Sequence, residues 1–206
     1  MAQPQQPQKR QQQSNKAAAE KKWKGKDWFS IEVPAWLGSG RIAVTPATDV
    51  KSVPGRIVEV AVPDVTGDQS KYYIRIELKT GVPNENGDVP TTFHSYYCLG
   101  EYVMRLGRKG LGKVATYVNC ETKDGWKLQA SAVCVLNRRS NSNIKTKINV
   151  LMQEMVKAKA SELSHSDFVK AVMAGVVQMK IKKAASKTYP VRFAEITKIE
   201  TLKAGS

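Results

Sequence analysis

Residues 107–114 read GRKGLGKV, a glycine-rich run with the GxxxxGK spacing of a phosphate-binding loop. Such a loop wraps backbone N–H groups around nucleotide phosphates and follows its Lys with a Ser or Thr that holds magnesium; here that position is Val114. The loop also needs a strand before it and a helix after it, so that amides and a helix N-terminus converge on the phosphates. The pattern around residue 110 predicts the reverse order, so nucleotide hydrolysis is not expected. The run reads better as a flexible loop presenting Arg105, Arg108, Lys109 and Lys113, with glycines that let a phosphate backbone come close. Asp64 and Asp68 are spaced like an acid/base or metal pair, yet Asp in a Gly-containing loop more often caps its own backbone, and that role is assigned. Of the two histidines, His94 and His165, His94 falls in a β segment and reads as structural rather than as a general base. Cys98, Cys120 and Cys134 stand far apart without a CxxC pair, which argues against both a disulfide framework and a zinc site and fits a reducing, cytosolic setting. With no GxSxG or HExxH motif either, the chain is expected to use no metal or cofactor, to take no small-molecule substrate and not to be an enzyme.

The elements that position these groups follow from periodicity. Residues 71–79 alternate, with Tyr72, Ile74, Ile76 and Leu78 on one face, and predict a half-buried antiparallel strand. The apolar run 55–62 predicts another strand, joined to it through the turn-forming PDVTGDQS, and 91–99 a third. EYVMRL (101–106) suits a short helix stopped by Gly107. Strands over 113–122 and 126–135 flank Asp124-Gly125, a dipeptide suited to a type I′ hairpin turn. Beyond a polar NRRSNSN stretch, Ile144, Ile148, Leu151, Met152, Met155 and Val156 recur at helical spacing and predict a core-facing helix. A second helix starts near Ser164 or Ser166 and is interrupted by Gly175, a third spans 176–187, and Pro190 closes the helical region. The last strand, 191–202, mixes periods and predicts a bulge or an exposed end. The expected fold class is α+β: an antiparallel sheet curled toward a barrel, with helices packed on it in the C-terminal half. No apolar run approaches the ~20 residues of a membrane span, so no membrane partner is expected.

The charge has an address. The chain carries +15 over 206 residues, of which residues 101–150 carry +7 and 151–206 carry +5, while 41–100 carry −1 and 1–40 carry +4. Clustered Lys and Arg are the footprint of a polyanion binder, nucleic acid first. Residues 1–20 are rich in Gln, Lys, Ala and Ser and lack large apolar side chains beyond Met1, so a disordered basic tail is expected there and a single unit over 21–206. In KKWKGKDWF (21–29), Lys21, Lys22, Lys24 and Lys26 interleave with Trp23, Trp28 and Phe29. Lysines there would meet phosphates while one indole stacks on an exposed base and the other anchors on the core. The loop around Arg105–Lys113 forms the next cluster. Arg138, Arg139, Lys145 and Lys147 form another, with Ser140, Asn141, Ser142 and Asn143 between them as caps or phosphate donors. Lys182 and Lys183 sit in the basic end of the third helix. A single charged run is usually a solvated face; several with a basic tail point to RNA.

Four landmarks carry a resemblance: KKWKGKDWFSIEVPAWLG (21–38), GRIVEVAVPDVTGDQSK (55–71), TKDGWKLQ (122–129) and KTYPVRFAEITKIETL (187–202). In this order and spacing they resemble the S3Ae (eS1) ribosomal protein family of archaea and eukaryotes, over nearly everything after residue 20. The DVTGD loop at Asp64–Asp68 and the Tyr189-Pro190 pair fit the family pattern, whereas Cys98-Leu99-Gly100 replaces a usual polar stretch and Arg108-Lys109 a usual Arg-Arg. The chain also lacks the long C-terminal extension of eukaryotic members, which favours an archaeal one. The resemblance implies a structural constituent of the small ribosomal subunit, on the platform near the messenger exit and the 3′ end of the rRNA. Its partners would be small-subunit rRNA, neighbouring ribosomal proteins and, at the exit, messenger RNA; its location would be the cytoplasmic ribosome. Two other readings stay open: a free RNA-binding protein of an RNA-processing or nucleoid complex, and an enzyme acting on RNA.

Overall fold

The computed structural model describes residues 25–38 and 40–205. The tail expected over 1–20 and the candidate contact residues Lys21, Lys22, Trp23 and Lys24 lie outside the described residues. In chain order the strands are β1 (Asp27–Glu32), β2 (Arg41–Ala47), β3 (Ile57–Ala61), β4 (Ile74–Thr80), β5 (Asp88–Val89), β6 (Thr91–Cys98), β7 (Gly112–Glu121), β8 (Lys127–Leu136) and β9 (Val191–Lys203). The helices are α1 (Val62–Thr66), α2 (Gly100–Leu106), α3 (Ser142–Glu162), α4 (His165–Met173) and α5 (Val176–Ser186). The expected α+β class holds: six strands form an antiparallel sheet in the order β3-β4-β6-β9-β8-β7. Its curl stops short of a closed barrel, since β3 and β7 remain as edges. A second sheet, β2-β1-β5, includes one parallel pair between β1 and β5.

β7 alternates buried and exposed residues along all ten positions and pairs with β8 without a register break, as period-2 patterning dictates. The connection is not the type I′ turn expected. Only Gly125 takes a positive φ (+75°), and Thr122 donates its N–H to the Trp126 carbonyl, closing a three-residue loop with a left-handed Gly. Asp124 keeps negative φ, and its Oδ2 accepts the His165 N–H at 3.0 Å, so the hairpin tip is tied to the start of α4. β9 shows the irregularity expected of it, with three register shifts against β8.

Ile148, Met152, Val156 and Ala160 recur at four-residue intervals along α3 and are fully buried against the sheet. α3 packs over β7, where Gln153 Nε2 donates to Thr116 Oγ1, and α5 packs over β9. Ser164 caps α4 by accepting the Asp167 N–H. Gly175, left-handed at φ +79°, makes the corner into α5, and buried Gln178 donates to the Val172 carbonyl across it.

Several expectations change. The strand drawn from Lys71 begins at Ile74, because 69–71 form a 3-10 turn capped by Asp68 and Tyr72 is exposed. PDVTGDQS is not all loop: its start folds as α1, with Pro63 in the first turn and Gly67 left-handed at the end. Asp68 caps as expected, accepting the Ser70 N–H and pairing with Lys71. Trp28 is exposed, while Phe29, buried with Ala47, Val53 and Val89, and the fully buried Ile31 anchor β1.

Candidate nucleic-acid interface

The register brings separate basic stretches to one end of the large sheet. Gly112, the first residue of β7, pairs with Leu136 at the end of β8, which pairs with Val191 at the start of β9. The loops before β7, after β8 and before β9 therefore leave the sheet side by side. The first carries Arg108 and Lys109 after Arg105 in the last turn of α2, with Lys113 just inside β7. The second carries Arg138 and Arg139 and runs into α3, whose first turns hold Lys145 and Lys147. The third follows α5, which bears Lys182 and Lys183. Backbone bonds lock the junction: Asn137 donates its N–H to the Pro190 carbonyl at 3.1 Å, and Tyr189 donates its hydroxyl to the Arg139 carbonyl.

The segments that form this junction are themselves free of acids. Residues 102–120, 125–153 and 168–194 contain no Asp or Glu. Among the described residues, the ion pairs join Arg41–Asp88, Lys71–Asp68, Arg75–Glu59, Lys159–Glu162 and Lys198–Glu200, and none involves the basic residues gathered here. The N-terminus of α3 has neither an acid in its first turn nor a side-chain cap, which adds the positive end of a 21-residue helix to the same field. The arrangement can hold a polyanion. It does not gather Lys26, which leads into β1; that sheet joins the far end of the large one, where Thr91 donates to the Glu32 carbonyl and Trp36 packs edge-on against Phe93.

Two features escaped the sequence reading. Arg192, the second residue of β9, joins the basic end through register alone. At the opposite end His165 is buried, stacked on Trp126 at 4.3 Å and edge-on to Trp36 and Phe93; burial lowers its pKa, against the pull of Asp124. On the sheet face under α2, Leu106 seats on Val133 and Val135, and the Tyr73 and Tyr102 rings stack at 3.8 Å. Glu195 beside them is held above the usual carboxylate range by burial, the Tyr102 hydrogen bond pulling the other way. The three thiols are buried and pushed up, Cys98 to about 12 and Cys120 and Cys134 to about 11, so none is poised as a nucleophile.

A family model described as the Ribosomal S3Ae family matches residues 14–205. The chain belongs to the Ribosomal S3Ae family. This S3Ae chain is 34% identical over 186 residues to the small ribosomal subunit protein eS1 of Saccharolobus solfataricus, spanning 90% of the chain and 89% of that relative. It is 35% identical over 182 residues to eS1 of Saccharolobus islandicus, spanning 88% and 87%. Both relatives are archaeal. No helix among the described residues of this S3Ae chain is long and apolar enough to cross a membrane.

Two local predictions test the geometry. A Cβ on Gly112 would sit 2.9 Å from the Arg138 carbonyl oxygen and 3.2 Å from Leu136, so Gly112→Ala must displace the loop carrying Arg138. It should cost about 1–3 kcal/mol by overpacking and lower the melting temperature, whereas Gly100→Ala, which meets nothing, should not. Equal melting temperatures would refute the tight junction. The second concerns Glu195. Its folded pKa lies above the 4.5 of an unfolded Glu, so its favourable contribution is complete below that value and lost as pH rises through the folded pKa. Glu195→Gln, still able to accept from Tyr102, should therefore melt higher than the parent near neutral pH, with the gap closing towards about pH 4. A gap independent of pH would contradict it.

Proposed function

We propose that this protein is a structural constituent of the small ribosomal subunit that binds small-subunit rRNA through the basic end of its sheet, as one unit over residues 21–206 with a basic tail over 1–20. The observation that carries it is family membership across residues 14–205, with relatives named small ribosomal subunit protein eS1. The acid-free stretches, and Arg and Lys without an ion pair among the described residues, supply the chemistry such a role needs. Arg105, Arg108, Lys109, Lys113, Arg138, Arg139, Lys145, Lys147, Lys182 and Lys183 contact phosphates, and Lys21, Lys22, Trp23, Lys24 and Lys26 make a separate contact. Neighbouring subunit proteins, and messenger RNA at the exit, complete the partners on a cytoplasmic ribosome. The role is scaffolding rather than catalysis.

Filter binding of the purified full chain to small-subunit rRNA, across salt concentrations, tests this. Six or more phosphate contacts make affinity fall by roughly 10³-fold or more between about 50 and 200 mM salt. A weak, nearly salt-independent interaction, or equal affinity for any RNA, would favour a different role.

A further inference from the structure

Between α2 and the start of β9 lies a pocket of about 160 Å³ lined by three arginines, Arg105, Arg108 and Arg192. They come from three places, the last turn of α2, the loop after it and the second residue of β9, so only the folded chain assembles them. No carboxylate lines the pocket, and none of the three forms an ion pair among the described residues. Like charges gathered without a counter-charge repel, and an anion is what relieves them. The space, about five waters' worth of liquid volume, suits a phosphate group rather than a whole nucleotide.

Its walls are fixed. Leu106 and Leu111 line it and pack with Val133 and Val135, which ties the loop to the sheet. The Leu111 N–H donates to the Arg108 carbonyl at 3.2 Å, and Gly110 at φ +93° allows that turn. The Arg192 guanidinium lies over the Phe193 ring, 5.5 Å from its centroid, so the ring limits where the group can swing. Guanidinium forks match phosphate oxygens two at a time, which an ammonium cannot do.

We propose that Arg105, Arg108 and Arg192 form a clamp for one backbone phosphate of the bound RNA. The proposal rests on the rRNA-binding reading above and adds Arg192 and the shared target to it. A clamp on one phosphate differs from a diffuse basic surface in two ways. Its members are coupled, because losing one already spoils the grip of the others. Its members must also be arginine, not merely positive.

The test is filter binding of the full chain to small-subunit rRNA at fixed moderate salt, for the parent, Arg192→Gln, Arg192→Lys, Arg105→Gln and the Arg105→Gln/Arg192→Gln pair. Arg105 and Arg192 are exposed, so melting temperatures should match the parent's. Each single Gln variant should weaken binding by roughly tenfold. The pair should lose clearly less than the product of the two, and Arg192→Lys should recover little. Multiplicative losses together with full recovery by Arg192→Lys would overturn the clamp while leaving rRNA binding standing. A parent chain that does not bind small-subunit rRNA would overturn the functional reading and the clamp with it.

Discussion

Changing Arg108, Arg138, Arg139 and Lys147 together to Glu should remove the protein from small subunits while leaving it folded. All four side chains are exposed, and the bonds that lock their loops use backbone atoms: the Arg108 carbonyl accepts from Leu111, and the Arg139 carbonyl accepts from Tyr189. Reversal lowers the net charge by eight units from +15, all at one end of the sheet. Losing four phosphate contacts and adding four repulsive ones should cost roughly 10³-fold or more in rRNA affinity at moderate salt. Pelleting of tagged variant and parent with small subunits reads the effect, with circular dichroism confirming an unchanged fold. A variant that pellets like the parent would show these groups to be solvated surface.

Phe168→Ala should remove a large part of the chain's stability. Phe168 is fully buried in the core that unites α3, α4 and α5 with the sheet. α4 has nine residues, too few to persist without packing, and its buried face of Phe168, Val169, Val172 and Met173 is what holds it down. Truncating a buried Phe costs about 3–5 kcal/mol through lost transfer energy and a cavity. Set against a total stability of about 5–15 kcal/mol, that is about a fifth of the margin at least. At about 2–4 °C per kcal/mol for a chain this long, the melting temperature should fall by roughly 6–20 °C. Phe168→Leu should lose much less. A fall of under about 3 °C for the Ala variant would mean that the core is looser here than the packing implies.

How much of this was legible in the sequence depended on whether one face is buried. α3 could be read because Ile148, Met152 and Val156 must all meet the same sheet, and β7 because every second residue does. β1, β2 and β5 could not. They form the small sheet, whose edge strand β2 contains Pro46 and shows no clean alternation, since a strand without a partner on one side tolerates both. α1 was hidden by composition: Pro63 and Gly67 punctuate turns, but Pro at the start and a left-handed Gly at the end equally bound a short helix. The hairpin was placed correctly at Asp124-Gly125 and given the wrong turn, because the tie from Asp124 to the His165 amide spans 41 residues of sequence.

The candidate site divides the same way. Arg105, Arg108, Lys109, Lys113, Arg138, Arg139, Lys145 and Lys147 stand out because they cluster along the chain. That they share one end of the sheet follows from the pairing of Gly112 with Leu136 and of Leu136 with Val191, which no local pattern encodes. Arg192 shows the limit: a lone cation between Val191 and Phe193 carries no signal until the register of β9 sets it beside α2.

The measurement that bears most directly on the account is a sucrose-gradient profile of native cell extract, at low and at high salt, following this protein and small-subunit rRNA together. One copy per small subunit is expected, co-migrating at low salt and staying bound at moderate salt. A free peak, or a trace amount that washes off the subunit, would contradict it.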